Sequence, residues 1–292
     1  MTNAIQVLIL GILLGGVYAL MASGLTLIFG VMRIVNLAHP IMVIWGAFVA
    51  YWLFRLYGLD PLLAMPLAAA FMFGVGIVLY KLVYAKEAAS AKYSEMTVLL
   101  TFAVALVLDG AASTAFSNTQ RVTSPSYATD AFIIGPIYIP TAQLYAGAVS
   151  IVLIGALVAF LRFTRMGYAI RATTQNRTAA GLLGVNVAFV SLITFAIGSA
   201  LAGASGALVS FVFSFFPSKH WEWIAVLMSL VVLGGMGKLV GTVVGAFVLS
   251  IIAAFVGTYA GATWSTITFF LALFVILLVR PQGLFGDPIE SE

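Results

Sequence analysis

The chain has 292 residues, of which 63% are hydrophobic and only 8% charged, against roughly 45–50% and 25% in an average soluble domain. That excludes a water-soluble globule, and at about 20 residues per hydrocarbon-spanning helix the length accommodates about eight or nine spans with their loops. The apolar runs far exceed the ~10 alternating residues of a barrel strand, so the predicted fold is an all-α polytopic membrane protein. With no cysteine there is no disulfide, thiolate metal site or cysteine nucleophile, and two histidines leave little for metal chemistry. The first charge of either sign is Arg33; without a basic n-region no cleavable leader is expected.

In chain order the apolar runs are residues 5–32, 40–54, 62–84, 96–116, 141–161, 187–212, 224–236, 240–256 and 264–279. These nine segments include two that are short or broken, 40–54 and 224–236, and a first run long enough to tilt or break. With alternating sides, one face collects Arg33, Lys81, Lys86, Lys92, Arg162, Arg165, Arg171, Arg177, Lys238 and Arg280. The other collects Arg55, Arg121 and Lys219. The positive-inside rule then places the N-terminus outside and the C-terminus in the cytoplasm. The whole chain, 1–292, reads as a single transmembrane domain.

The first break is the string RIVNLAHP, residues 33–40, whose Asn36, His39 and Pro40 suit lipid poorly. A polar group in hydrocarbon costs several kcal/mol unless satisfied, so these residues are expected to face protein or water. One reading has Asn36 and His39 lining a solute path at a helix broken by Pro40; the other has them merely capping helix ends. In the fourth segment Thr97, Thr101, Asp109 and Ser113 are spaced by multiples of four, a slanted polar stripe on one helix face. An intramembrane acid is a functional candidate by default, although Asp109 near the outer end is also compatible with simple hydration.

The outer connection 117–140 is an extracytoplasmic loop containing the apolar stretch 131–139, interrupted by Gly135 and Pro136, which suits a surface-lying segment and a docking partner. The inner connection 162–186 holds four arginines and no Asp or Glu. Anchoring to anionic headgroups, at about 1 kcal/mol per basic residue, is one reading of it. The other is a short amphipathic helix opened by Gly167 and ended by Gly184, its apolar face made of Ile170, Leu182, Leu183 and Ala172, Ala179 and Ala180, suited to a groove on a cytoplasmic protein.

The second break is GGMGKLVG, residues 234–241. Glycine-interrupted segments in corresponding places of two halves point to a transporter's substrate region, because unwound backbone is tolerated where it lines a cavity. Gly234, Gly235 and Gly237 therefore join the path candidates. The string is not a phosphate-binding loop: the required glycine is Val232, and Leu239 follows Lys238 where Ser or Thr is needed. The small-residue pairs Gly11 and Gly15, Ala202 and Gly206, Gly241 and Gly245, and Gly257 and Gly261 read as helix-packing contacts. No zinc motif or catalytic triad is present, so the chain is not read as an enzyme.

The runs GLTLIFGVMRIVNLAHPIMVIWGAF (24–48), MGYAIRATTQNRTAAGLLGVNV (166–187), VVLGGMGKLVGTVVGA (231–246) and RPQGLFG (280–286) closely resemble the membrane permease subunit of bacterial ABC importers for branched-chain amino acids. The resemblance implies a translocation path in the bacterial plasma (inner) membrane for branched-chain or other hydrophobic amino acids, with urea, short amides or small organic acids as alternatives. It implies a second, related permease chain, as a heterodimer rather than a homodimer, two cytoplasmic ABC ATPases carrying ATP and Mg, and a periplasmic or lipid-anchored solute-binding protein. No cofactor on this chain and no nucleic-acid partner are implied, and membrane lipid is the surrounding solvent. It identifies 162–186 with the family's coupling loop, in which Arg171, Ala172, Gln175, Asn176, Ala180 and Gly184 match the motif and Arg177 lies alongside. Pro40 and Lys238 depart from the pattern, where glycine and Ser or Thr are usual. The competing class is an ion-coupled secondary transporter or channel complete in itself; it needs intramembrane titratable groups, of which Asp109 is the one acid well inside a span. A non-transporting assembly subunit is a third class.

Overall fold

A computed structural model describes residues 2–85 and 93–286. Eight helices are long and apolar enough to cross a membrane: α1 (Thr2–Met32), α2 (His39–Tyr57), α3 (Pro61–Leu79, extended by a π-helical turn, Tyr80–Tyr84), α4 (Tyr93–Phe116), α5 (Thr141–Phe163), α8 (Val187–Val212), α10 (Leu239–Ala260) and α11 (Ala262–Val279). Two short helices, α6 (Arg165–Gln175) and α7 (Arg177–Leu182), lie between α5 and α8. A ninth traversing element, α9 (His220–Gly234), has 15 residues. It starts beside the strand-like contact of Arg121 with Phe215 at one end of the molecule and finishes where Gly237 meets Gly30 near the end of α1. Among the described residues, the chain therefore passes nine times between two ends.

The expected segments recur with two changes. Segment 40–54 is a full 19-residue helix, because the break precedes it and Pro40 sits in the first turn of α2, where a missing N–H leaves no bond unmade. Pro40 thus starts a helix rather than bending one, and α9 is the one short segment. The long first run is an uninterrupted 31-residue helix, about 46 Å at 1.5 Å per residue. Lys86 and Lys92 lie outside the described residues.

The core is built on α8 and α1. α8 packs on α3, α2 and α1, while α1 also carries α10 and α5. These contacts are close because small residues face each other: a Cβ on Gly46 would stand 2.6 Å from the Gly203 carbonyl oxygen, and one on Gly206 2.7 Å from the Ala47 nitrogen. Gly11 and Gly15 admit Ile251 and Phe247 of α10 in the same way, and Gly241 meets Phe285 and the backbone of Gly234. In lipid, where no hydrophobic force drives helices together, such backbone approach is what packing rests on. Gly261 differs from the other paired glycines. At φ 106° it forms the turn between α10 and α11.

Ends are capped by identifiable side chains. Asp60 Oδ1 accepts from the Leu62 N–H at 2.8 Å at the head of α3, and from the Tyr127 hydroxyl at 3.1 Å. The 117–140 connection folds into a hairpin, β1 (Ala131–Ile134) and β2 (Ile137–Pro140), turned at Gly135 with φ 58°. The Gln6 side-chain amide grips the backbone of Tyr138 from α1, receiving its N–H at 2.7 Å and donating to its carbonyl. The apolar stretch is thus a surface hairpin.

Candidate solute path and docking surface

α1 ends at Met32, and Arg33 takes the left-handed conformation with φ 57°. The chain then runs unwound to Ala38, placing Asn36 and His39 in the interior, 1% and 0% exposed. His39 Nε2 lies 2.9 Å from the Met21 carbonyl. A carbonyl only accepts, so Nε2 carries the proton and Nδ1 is left as a buried acceptor without a partner. Asn36 Oδ1 accepts from the Ala38 N–H at 3.1 Å, a local turn bond, while its Nδ2 has no partner. Thr101 of α4 joins this break by donating to the Val35 carbonyl at 3.2 Å or to that of Val98 at 2.9 Å. Asn36, His39 and Thr101 therefore gather around one break, with two buried polar atoms unmatched.

The Gly234–Gly237 turn packs elsewhere, against the end of α1 and the C-terminal residues. A Cβ on Gly235 would stand 2.6 Å from the Gly286 nitrogen and one on Gly237 3.2 Å from Gly30 Cα. Both have positive φ, 94° and 83°, so glycine is required there on conformation as well as space.

The polar stripe of α4 faces protein. Thr97 and Thr101 are buried and the Asp109 side chain is 18% exposed. Asp109 Oδ1 lies 3.8 Å from His220 Nδ1 at the head of α9. That nitrogen already sits 2.9 Å from the Pro217 carbonyl, so it donates there and makes no hydrogen bond to Asp109. Asp109 Oδ1 and His220 Nε2 are buried without hydrogen-bond partners. Trp221 packs on the His220 ring at 4.4 Å. No spacing links residue 109 to residue 220, so His220 was not legible as part of this pair.

Beyond Asp109, an aromatic cluster closes the same end. Phe48 stacks on Phe116 at 4.4 Å and meets Phe215 edge-on at 5.1 Å, with Trp45 and Trp52 around Phe116. The Arg121 guanidinium lies over Phe48 and Tyr51 at 5.5 and 5.8 Å and also donates to the Phe116 carbonyl. Cation–π contacts of this kind hold a charge against apolar surface. Sequence periodicity cannot reveal a cluster drawn from three separate segments.

At the opposite end, residues 162–186 form two helices rather than one. Thr164 caps α6 by accepting from the Gly167 N–H at 3.0 Å. Asn176, extended at φ −151°, ends it and caps α7 by accepting from the Ala179 N–H at 2.9 Å. An Asx side chain competing with the helical backbone is the physical reason for the break. The expected single apolar face is divided accordingly: Ile170 and Ala180 are buried, while Leu182 and Leu183 are each 85% exposed. Arg171, Ala172, Gln175 and Asn176 lie on the exposed side and Arg177 is half-buried. Gly184 has φ 86° with nothing within 4 Å of a Cβ built on it. Arg33 Nη2 donates to the Thr174 carbonyl at 3.1 Å, tying the helix pair to the end of α1.

Among the described residues no group of three or more His, Cys, Asp or Glu side chains is placed to hold a metal ion. What the fold does contain is a buried polar break, an acid facing a buried imidazole, and a basic helix pair presenting two bare leucines; the chain is a multi-pass helical membrane protein. Residues 7–279 match the family model described as branched-chain amino acid transport system / permease component, and the chain belongs to that family. It is 28% identical to the high-affinity branched-chain amino acid transport system permease protein LivH of Escherichia coli K12, over 95% of this chain and 94% of that one. It is 27% identical to the corresponding protein BraD of Pseudomonas aeruginosa, over 97% and 96%, and 24% identical to a probable LivH of Methanocaldococcus jannaschii, over 94% and 90%. No solved structure matches the chain.

Proposed function

We propose that the chain is the permease subunit of an ATP-driven importer of the bacterial inner membrane, passing branched-chain amino acids by alternating access. The observation that carries this is family membership across residues 7–279 combined with a short-helix pair whose Leu182 and Leu183 have no cover. Two adjacent uncovered leucines on a basic helix pair are a ready apolar contact for the groove of a cytoplasmic ATPase. The charge bias puts this end, with the C-terminus, in the cytoplasm and the N-terminus outside.

In this reading ATP closure of two partner ATPases moves α6 and α7, and the shift favours the outward-open arrangement of the spans. A second, related permease chain completes the path, and a solute-binding protein delivers the amino acid at the outer end near the hairpin. Asn36, His39 and Thr101 line the path at the break, and Asp109 meets a solute ammonium beneath the aromatic cluster. The Gly234–Gly237 turn contributes at the inner end by holding α9 and α10 against α1.

Reconstitution tests the reading. Alone in liposomes the chain neither hydrolyses ATP nor concentrates leucine; with its ATPases, second permease and binding protein it does so in proportion to ATP consumed. ATPase activity tracking this polypeptide alone would refute the proposal. The Asp109–His220 pair is the one observation favouring ion coupling, and uptake driven by a proton gradient without any ATPase is its signature.

A further inference from the structure

Two adjoining clefts, of 320 and 290 Å3, open at the end that carries α6 and α7 and share Thr174, Gln175, Gly237 and Lys238 as walls. The larger is floored by Thr26, Leu27 and Gly30 of α1 and walled by Leu161 of α5, Ile170 and Arg171 of α6, and Leu239 and Val240 of α10. Arg33 lines the smaller one. Arg171 thus reaches the larger cleft and Arg33 the smaller, and among the described residues lining them none is acidic. Arg171 lies over the Tyr168 ring at 4.9 Å and Arg33 donates to a neutral carbonyl; neither contact cancels charge.

The larger cleft is also strongly apolar on its membrane side. Val240 at its mouth is 66% exposed. Val244, Val248 and Ile252 continue from it at intervals of four along α10, 38%, 42% and 44% exposed, one stripe on one helix face. A cationic hollow at the membrane surface that opens onto an aliphatic stripe along a span is complementary to an amphiphile with an anionic head. Basic pockets between spans bind anionic lipid headgroups for this reason.

We propose that the two adjoining clefts form a binding site for an anionic phospholipid, its headgroup drawn by Arg171 of the larger and Arg33 of the smaller and one acyl chain laid along Val240, Val244 and Val248. The site seats a lipid against α6, so it would couple the state of the helix pair to membrane composition. The proposal needs only that this end lies at a membrane surface, and not the assignment of solute.

The test is native mass spectrometry of the intact chain offered phosphatidylglycerol and phosphatidylcholine with identical acyl chains. Wild type should retain the anionic lipid over the zwitterionic one by roughly tenfold, given two or more basic residues near the headgroup. The double variant Arg33→Gln, Arg171→Gln should lose that preference, and Arg171→Lys should keep most of it. Val240→Trp, which fills the mouth without touching a charge, should lower retention of both lipids, with elution volume on size exclusion reporting that the variant is folded. Equal retention of the two lipids by wild type would overturn the site. So would a preference that survives both variants, displacement by inorganic phosphate at equal concentration, or a Val240→Trp variant that alters pairing with the second permease but leaves lipid retention intact.

Discussion

Asp109 and His220, 111 positions apart, come within 3.8 Å of each other where α4 meets the head of α9. The carboxylate oxygen facing the ring has no hydrogen bond of its own. With the His220 Nδ1–H already given to the Pro217 carbonyl, that oxygen keeps its acceptor capacity for a visiting donor. In the proposed function an amino-acid ammonium is such a donor.

Removing that charge while keeping the shape is the direct check. Asp109→Asn should lower leucine uptake by roughly tenfold or more, because a charge-assisted bond contributes ~1.5–3 kcal/mol and 1.4 kcal/mol is a factor of ten. The loss should fall on KM. A double-mutant cycle with His220→Gln should be non-additive, as expected of neighbours; additive losses with unchanged KM would refute a shared site.

At the first break, Asn36→Ala removes the side-chain turn bond to Ala38, costing ~1 kcal/mol, and takes away the unmatched Nδ2. Uptake competition among leucine, valine and a short amide should change rank order in this variant while abundance in the membrane stays near wild type. His39→Gln should change the rank order too and, since the bond to Met21 braces α2 against α1, should also lower abundance in the membrane.

Gly206 and Gly155 make opposite forecasts from the same substitution. Gly206→Ala pushes a methyl into the backbone of α2 and should destabilise by about 1–3 kcal/mol, visible as a lower unfolding temperature in detergent. Gly155→Ala meets nothing within 4 Å and should stabilise by ~0.5–1 kcal/mol, the usual gain in a helix interior.

For the coupling surface, Leu182→Ser with Leu183→Ser should abolish co-purification of the ATPase and leave the permease abundant, because neither side chain is buried. Gly184→Val should uncouple by a different route. No neighbour blocks the side chain, but a left-handed β-branched residue carries strain of ~1–2 kcal/mol and would re-aim the link from α7 to α8.

Alkaline pH addresses the outer loop. The Tyr127 phenol is pushed above its usual value of 10.0, first by burial and then by the neighbouring Asp60 carboxylate. A raised folded-state pKa contributes stability that is complete below 10.0 and is lost as pH rises towards the higher folded value. The unfolding temperature should therefore decline above that pH, and Tyr127→Phe should show a shallower decline together with a lower starting value.

Hydropathy alone marks the spans closely, and residues 187–212 agree at both ends, because the cost of bare peptide groups in hydrocarbon leaves helix as the one solution for a long apolar run. The polar stripe of α4 was equally legible, since a period of four places Thr97, Thr101 and Asp109 on one face whatever surrounds them. Segment 40–54 was read as short because Arg55 closes the apolar run, whereas the helix continues to Tyr57 and ends at Gly58; Pro40 looks like a breaker and acts as a starter. The two-helix form of 162–186 was hidden for a similar reason: Asn176 has fair helical surroundings, and only its folded conformation shows the side chain capping the following turn.

Membrane residence, the approximate positions of the spans, the polar residues that need partners and the absence of a phosphate loop all follow from the sequence by itself, because each depends on one segment and its solvent. Which residues meet was decided by the tertiary structure alone. His220 joins Asp109, Thr101 reaches Val35, the glycine turn settles under Gly30 and Arg171 comes to share a cleft with Val240, each across a separation that no local period encodes. The small faces of α8 and α1 let backbones approach closely enough to bring these distant side chains into range.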